Sequence, residues 1–79
     1  MYYVYIIQSL SDNSYYTGST GDLKNRIKEH NSGKSYFTSK RKDYILVWYC
    51  AFVDKKKAIH FEKYLKHGSG FAFAKKRLV

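Results

Sequence analysis

Apolar and polar positions follow two different periods along this chain. Residues 2–9 (YYVYIIQS) are β-branched and aromatic, which suits a strand. Ser11, Asp12, Asn13 and Ser14 form a polar turn cluster, and residues 15–20 (YYTGST) read as the return strand of a hairpin. With an even number of residues in the connecting loop, Tyr5 and Tyr16 point to the same face of the sheet. Gly18 inside that strand is costly for packing and marks a place where backbone or ligand comes close.

The period then changes. Asp22 is placed to cap a helix running to about Asn31, with Gly33 positioned to end it. Leu23 and Ile27 share one face of this helix with Arg26 and His30. Residues 35–43 form a polar, basic loop containing Tyr36, Phe37, Lys40, Arg41 and Lys42. Residues 44–53 (YILVWYCAFV) are nearly continuously apolar, as expected of a strand covered on both faces, with Trp48, Tyr49 and Phe52 in the core. Asp54 opens a second helix reaching about His67, with Ala58, Phe61 and Leu65 on its apolar stripe and His60 and His67 on the solvent side. Gly68, Ser69 and Gly70 break it, and a short helical or irregular tail closes on Lys75, Lys76 and Arg77. The order strand, strand, helix, strand, helix predicts an α+β fold: a three-stranded, largely antiparallel sheet flanked by helices.

Composition narrows the class of partner. With 79 residues the chain has room for one domain, spanning 1–79, and 19% aromatic content marks it as globular. Fifteen Lys and Arg against six Asp and Glu give a net charge of +9, for which a polyphosphate is the natural partner. No apolar stretch approaches the roughly 20 residues of a membrane span, and the strand-like first residues do not resemble a signal peptide. The lone Cys50, inside an apolar run, reads as an inert core thiol in a reducing cytoplasm. One cysteine and three scattered histidines offer no zinc spacing.

Glu62 is the residue that packing alone does not explain. It occupies the i+4 slot of the Ala58, Phe61, Leu65 stripe, and a carboxylate turned toward a core is a candidate metal ligand or acid/base group. Taken singly, the other candidates have ordinary readings. Tyr5 and Tyr16 are strand aromatics, Arg26 a surface helix residue, His30 a favourable charge near a helix C-terminus, and Glu62 itself could pair with Lys66. Together they supply what phosphodiester hydrolysis needs. A carboxylate can hold a divalent metal, an arginine can stabilise charge on phosphoryl oxygens, and a phenol or imidazole can take a proton from water.

The strand around Tyr3-Val4-Tyr5, the strand Tyr16-Thr17-Gly18, then Arg26, His30 and Glu62, in that order, resemble the GIY-YIG nuclease superfamily, and especially its small stand-alone bacterial members. The resemblance implies a metal-dependent endonuclease acting on nucleic acid, DNA first, with one Mg²⁺ or Mn²⁺ ion and little sequence specificity. It implies that Tyr5 and Tyr16 are the motif tyrosines, Tyr16 helping to activate water. Gly18 lets substrate approach, Arg26 stabilises the phosphate, His30 assists proton transfer and Glu62 binds the metal. Lys40, Arg41 and Lys42 add a substrate-binding track, with no small-molecule cofactor and no membrane partner. Two positions depart from the pattern. Tyr3 stands where the family has glycine, and Gly68-Ser69-Gly70 where many members carry an asparagine. The second departure motivates an alternative: a nucleic-acid-binding protein that keeps the fold without cleaving.

Overall fold

The computed structural model describes residues 1–32 and 43–79. Gly33, Tyr36, Phe37, Lys40, Arg41 and Lys42 lie outside the described residues, and so does the proposed basic track. Three strands, β1 (Tyr2–Ser9), β2 (Tyr15–Thr20) and β3 (Tyr44–Phe52), form an antiparallel sheet in the order β2-β1-β3. Helices α1 (Leu23–Ser32) and α2 (Lys55–Lys66) cover its two faces. A short helix α3 (Gly68–Phe73) and a π-helical turn (Ala74–Leu78) follow. The α+β architecture expected from the sequence is the one observed.

Strand alternation divides the core in two. Val4 and Ile6 face α2 and pack with Ala58, Leu65 and Ala74, while Tyr5 and Ile7 face α1 with Tyr44, Leu23 and Ile27. All four consecutive residues from Val4 to Ile7 are at most 1% exposed, so the strand buried on both faces is β1. This corrects the reading of β3. It is an edge strand, and Ile45, Leu46 and Tyr49 are 43%, 38% and 53% exposed, so Tyr49 is not core. Its continuous apolar run has another cause. The register slips between Ile6↔Trp48 and Ile7↔Leu46, leaving Val47 as a bulged residue. Before the bulge Tyr44 faces α1; after it Trp48, Cys50 and Phe52 face α2. A phase change inside one strand reads in sequence like double burial.

The local signals place the elements well. Asp22 Oδ1 accepts from the Asn25 N–H and Asp54 Oδ1 from the Lys56 N–H, so both aspartates cap as expected. The β1–β2 turn closes through Ser9 N–H to Ser14 O and Asn13 N–H to Ser9 O, with Asn13 in the left-handed region at φ 63°. Asn31 ties the end of α1 to the start of β3, its amide donating to Tyr44 O and its Oδ1 accepting the Tyr44 N–H at 2.6 Å. Extended backbone at His67 ends α2, and α3 begins at once at Gly68, φ +54°. The glycine-serine-glycine segment is therefore the first turn of α3 rather than a simple breaker.

Candidate functional site

Tyr5 is the centre of the site, because it lies on the middle strand and reaches across β2. Its cross-strand partner is Gly18, and a Cβ placed there would lie 2.5 Å from Tyr5 Oη and 3.1 Å from the Tyr16 ring. Only a residue without a side chain lets the phenol cross at this point. The Tyr5 hydroxyl meets His30 Nε2 at 2.8 Å, and the Arg26 guanidinium also hydrogen-bonds it. An arginine can only donate, so the arrangement that satisfies every group has Arg26 donating to Tyr5 Oη and the phenol O–H donating to His30 Nε2. Tyr16 completes the cluster, its ring centroid 6.4 Å from that of Tyr5 and 5.1 Å from that of His30.

Burial sets the protonation states. His30 is fully buried, and desolvation, helped by the Arg26 charge, lowers its pKa to about 4, so the imidazole is neutral near pH 7. Desolvation likewise pushes the Tyr5 phenol up to about 12, more than the nearby guanidinium pulls it down. The proton therefore rests on Tyr5 and the lone pair on His30. Arg26 is held charged by Glu29, whose Oε1 lies 2.9 Å from Nη1, and Tyr5 adds to the effect.

Glu62 approaches from the opposite side of the sheet. Its helix, α2, packs on the Val4 and Ile6 face, while Tyr5, Tyr16, Arg26 and His30 belong to the α1 face. The two groups meet because β2 is an edge strand, and side chains can wrap its open border. Ser19, paired with Val4 and so on the α2 face, donates its hydroxyl to Glu62 Oε1 at 2.5 Å. Lys66 Nζ sits 2.6 Å from Glu62 Oε2 and 5.7 Å from the centroid of the Tyr16 ring, joining the two faces. The Glu62 charge contributes to the raised pKa of Tyr5.

All five residues singled out in the sequence thus gather at the β2 edge, four in one cluster and Glu62 around the border. The carboxylate is only 17% exposed by side chain, and the Lys66 pairing that sequence offered as the ordinary reading is also present. Ser19 carried no sequence signal beyond its strand register, whereas Lys66 was visible through its i+4 spacing. Tyr3, the departure in the first motif, does not enter the site. Its ring centroid lies 6.3 Å from that of Tyr49, and both residues line an open cleft of about 670 Å³ between α1 and β3 that holds none of the five. His60 and His67 are exposed, as expected.

A divalent ion fits this donor set in one way. Among the described residues no group of three or more His, Cys, Asp or Glu converges. Among the described residues Glu62 would be the one carboxylate ligand, with water and phosphate oxygens completing the shell of a hard divalent cation. No helix among the described residues is long and apolar enough to cross a membrane.

Comparison with known proteins identifies the family and the fold. The chain matches the model of the GIY-YIG catalytic domain over residues 1–76. It is 39% identical over 67 residues to a UPF0213 protein of Lacticaseibacillus paracasei, covering 84% of this chain and 74% of that one. To UPF0213 protein BH0048 of Halalkalibacterium halodurans it is 43% identical over 67 residues, covering 84% and 70%. The solution structure of the UPF0213 protein BH0048 superposes with a TM-score of 0.59 at 36% identity, covering 99% of this chain and 87% of that one. With a match over residues 1–76, relatives at 39% and 43% identity and the same three-stranded sheet with covering helices, the chain belongs to the GIY-YIG family, a family of nucleases that generally use a divalent metal.

Proposed function

We propose that this protein is a divalent-metal-dependent endonuclease that hydrolyses phosphodiester bonds of nucleic acid, DNA first, with little sequence preference. What carries the reading is the cluster of Tyr5, Tyr16, Arg26 and His30 joined by Glu62 around the open edge of β2, on a body of net charge +9. Glu62 would hold one Mg²⁺ or Mn²⁺ ion, which when bound polarises the phosphate and stabilises the leaving oxygen. Arg26, kept charged by Glu29, donates to the charge that grows on the phosphoryl oxygens. In this reading Tyr16 helps to activate the attacking water by receiving its proton. Tyr5 keeps its proton and donates it in a hydrogen bond to the neutral His30, which holds the phenol oxygen oriented beside Arg26 and ready to assist proton movement at the site. Ser19 holds Glu62 in its rotamer.

Nicking of supercoiled plasmid in Mg²⁺, absent in EDTA, tests the reading. Glu62→Gln and Tyr16→Phe should each lower the rate at least about 100-fold, the scale of a lost acid/base or charge-stabilising group. Both variants cutting like the parent would overturn the site.

A second reading, binding without cleavage, has one observation in its favour: Lys66 already neutralises Glu62. It expects affinity that falls steeply with salt through counterion release and no metal-dependent product.

A further inference from the structure

The π-helical turn at the end of the chain is anchored on one side only. Gly70, Ala74 and Leu78 recur every four residues; Gly70 and Ala74 are buried and Leu78 packs on the α2-side core. A Cβ at Gly70 would overlap the Tyr64 carbonyl, so α3 is pressed against α2 and its orientation is fixed. One position further on, Phe71 and Lys75 are also four apart and point outward, Phe71 53% exposed. Lys75 links Phe71 to Tyr15, the first residue of β2, itself 40% exposed. Lys75 Nζ lies 5.5 Å from the Tyr15 ring centroid and 5.9 Å from that of Phe71.

Stability does not account for this cluster. An exposed cation–π contact contributes only about 0.5–1 kcal/mol, and two large aromatic faces stay in water beside it. No ion pair of the described residues engages Lys75, and Lys76 and Arg77 follow it directly. The cluster adjoins the candidate centre through the α2 face: by strand register Tyr15 shares that face of β2 with Ser19, which bonds Glu62, and Lys66 of α2 reaches round the edge to the Tyr16 ring. Flat aromatic faces flanking an ammonium match one ligand chemistry, unpaired bases that stack while a phosphate meets the cation. A duplex keeps its bases stacked on each other and offers the rings nothing.

We propose that Tyr15, Phe71 and Lys75 form a binding site for single-stranded nucleic acid next to the candidate catalytic centre. The proposal builds on the nuclease reading for the identity of its neighbour, but binding can be measured without cleavage. Fluorescence anisotropy of the full chain in EDTA, with labelled oligothymidylate and a blunt duplex of matching length, reads it. Phe71→Ser should weaken oligothymidylate binding roughly 5- to 150-fold, the range of one lost base–aromatic stack, and duplex binding less than about twofold. Phe71→Tyr should restore it. Lys75→Gln should reduce the slope of log affinity against log salt by about 0.7, one phosphate on a single strand. Unchanged circular dichroism melts keep these effects separate from unfolding, since both side chains are exposed.

Parent-like binding by both Phe71→Ser and Lys75→Gln overturns the site. Equal losses for duplex and single strand overturn it too, reducing the cluster to part of a general positive field. A loss seen only with phosphatidylserine vesicles would assign the patch to lipid instead. Cleavage in Mg²⁺ is scored separately: its absence in the parent sinks the nuclease reading and leaves single-strand binding standing.

Discussion

Lys66 Nζ lies 2.6 Å from Glu62 Oε2, one turn further along the same helix. The ammonium therefore neutralises the carboxylate proposed to hold a divalent cation, and the two cations compete for one oxygen. Lys66→Met should tighten Mn²⁺ binding, by about 2- to 5-fold, the size of a partly exposed pair. Titration followed by electron paramagnetic resonance of free Mn²⁺ measures this without catalysis. Unchanged or weaker binding in the variant would show that Lys66 and the ion do not compete.

His30 makes stability depend on pH. Its pKa in the folded chain is about 4 against 6.5 for an unperturbed imidazole, so the unfolded chain binds more protons between those values. The stability linked to His30 is complete above about pH 6.5 and is lost as pH falls to about 4, amounting to something on the order of 3 kcal/mol. Urea midpoints measured from pH 7.5 down to 4.5 should fall steeply for the parent. The slope should flatten in His30→Gln. Parallel slopes would place the titrating group elsewhere.

The close passage of Tyr5 over Gly18 predicts a coupled pair. Gly18→Ala puts a methyl carbon 2.5 Å from Tyr5 Oη and 2.7 Å from Cζ, inside a side chain only 1% exposed. Overpacking of this kind costs about 1–3 kcal/mol. Combined with Tyr5→Leu, which removes the atoms met, the double variant should be clearly more stable than the sum of the two losses. Strict additivity in denaturant midpoints would mean that the ring moves aside freely.

Two glycines of α3 should respond differently to alanine. At Gly68 there is open space, and the cost is that of φ +54°, about 1 kcal/mol. At Gly70 the added carbon meets the Tyr64 backbone carbonyl, which cannot turn away, so α3 must leave α2. Gly70→Ala should therefore lower the melting temperature well beyond Gly68→Ala. It should also disturb the Phe71–Lys75–Tyr15 cluster. Equal shifts would show that α3 is free to slide.

Much of the local structure was legible because its causes are local. The turn cluster, the capping aspartates and the change from period two to period 3.6 depend on neighbours a few residues apart, and each appears where the sequence put it. Glu62 was visible as a carboxylate that packing did not explain, whereas Tyr5, Tyr16, Arg26 and His30 had ordinary readings singly and stood out only as an ordered set resembling a known family. Tyr49 shows the limit. Its run of apolar neighbours is the same in an edge strand with a bulge at Val47 as in a strand covered on both faces.

Sequence by itself determined which segments become strands and helices, since backbone preference and amphipathic period act over short range, and the order of its tyrosines, arginine, histidine and glutamate carried the family resemblance that singled out the candidate chemistry. Only the tertiary structure decided that β1 lies in the middle and β2 at the border. From that choice follow the crossing of Tyr5 over Gly18, the approach of Glu62 around the edge through Ser19 and Lys66, and the meeting of Tyr15 with Phe71 and Lys75. Strand order depends on pairings between residues far apart in the chain, and no local pattern encodes which edge is left open.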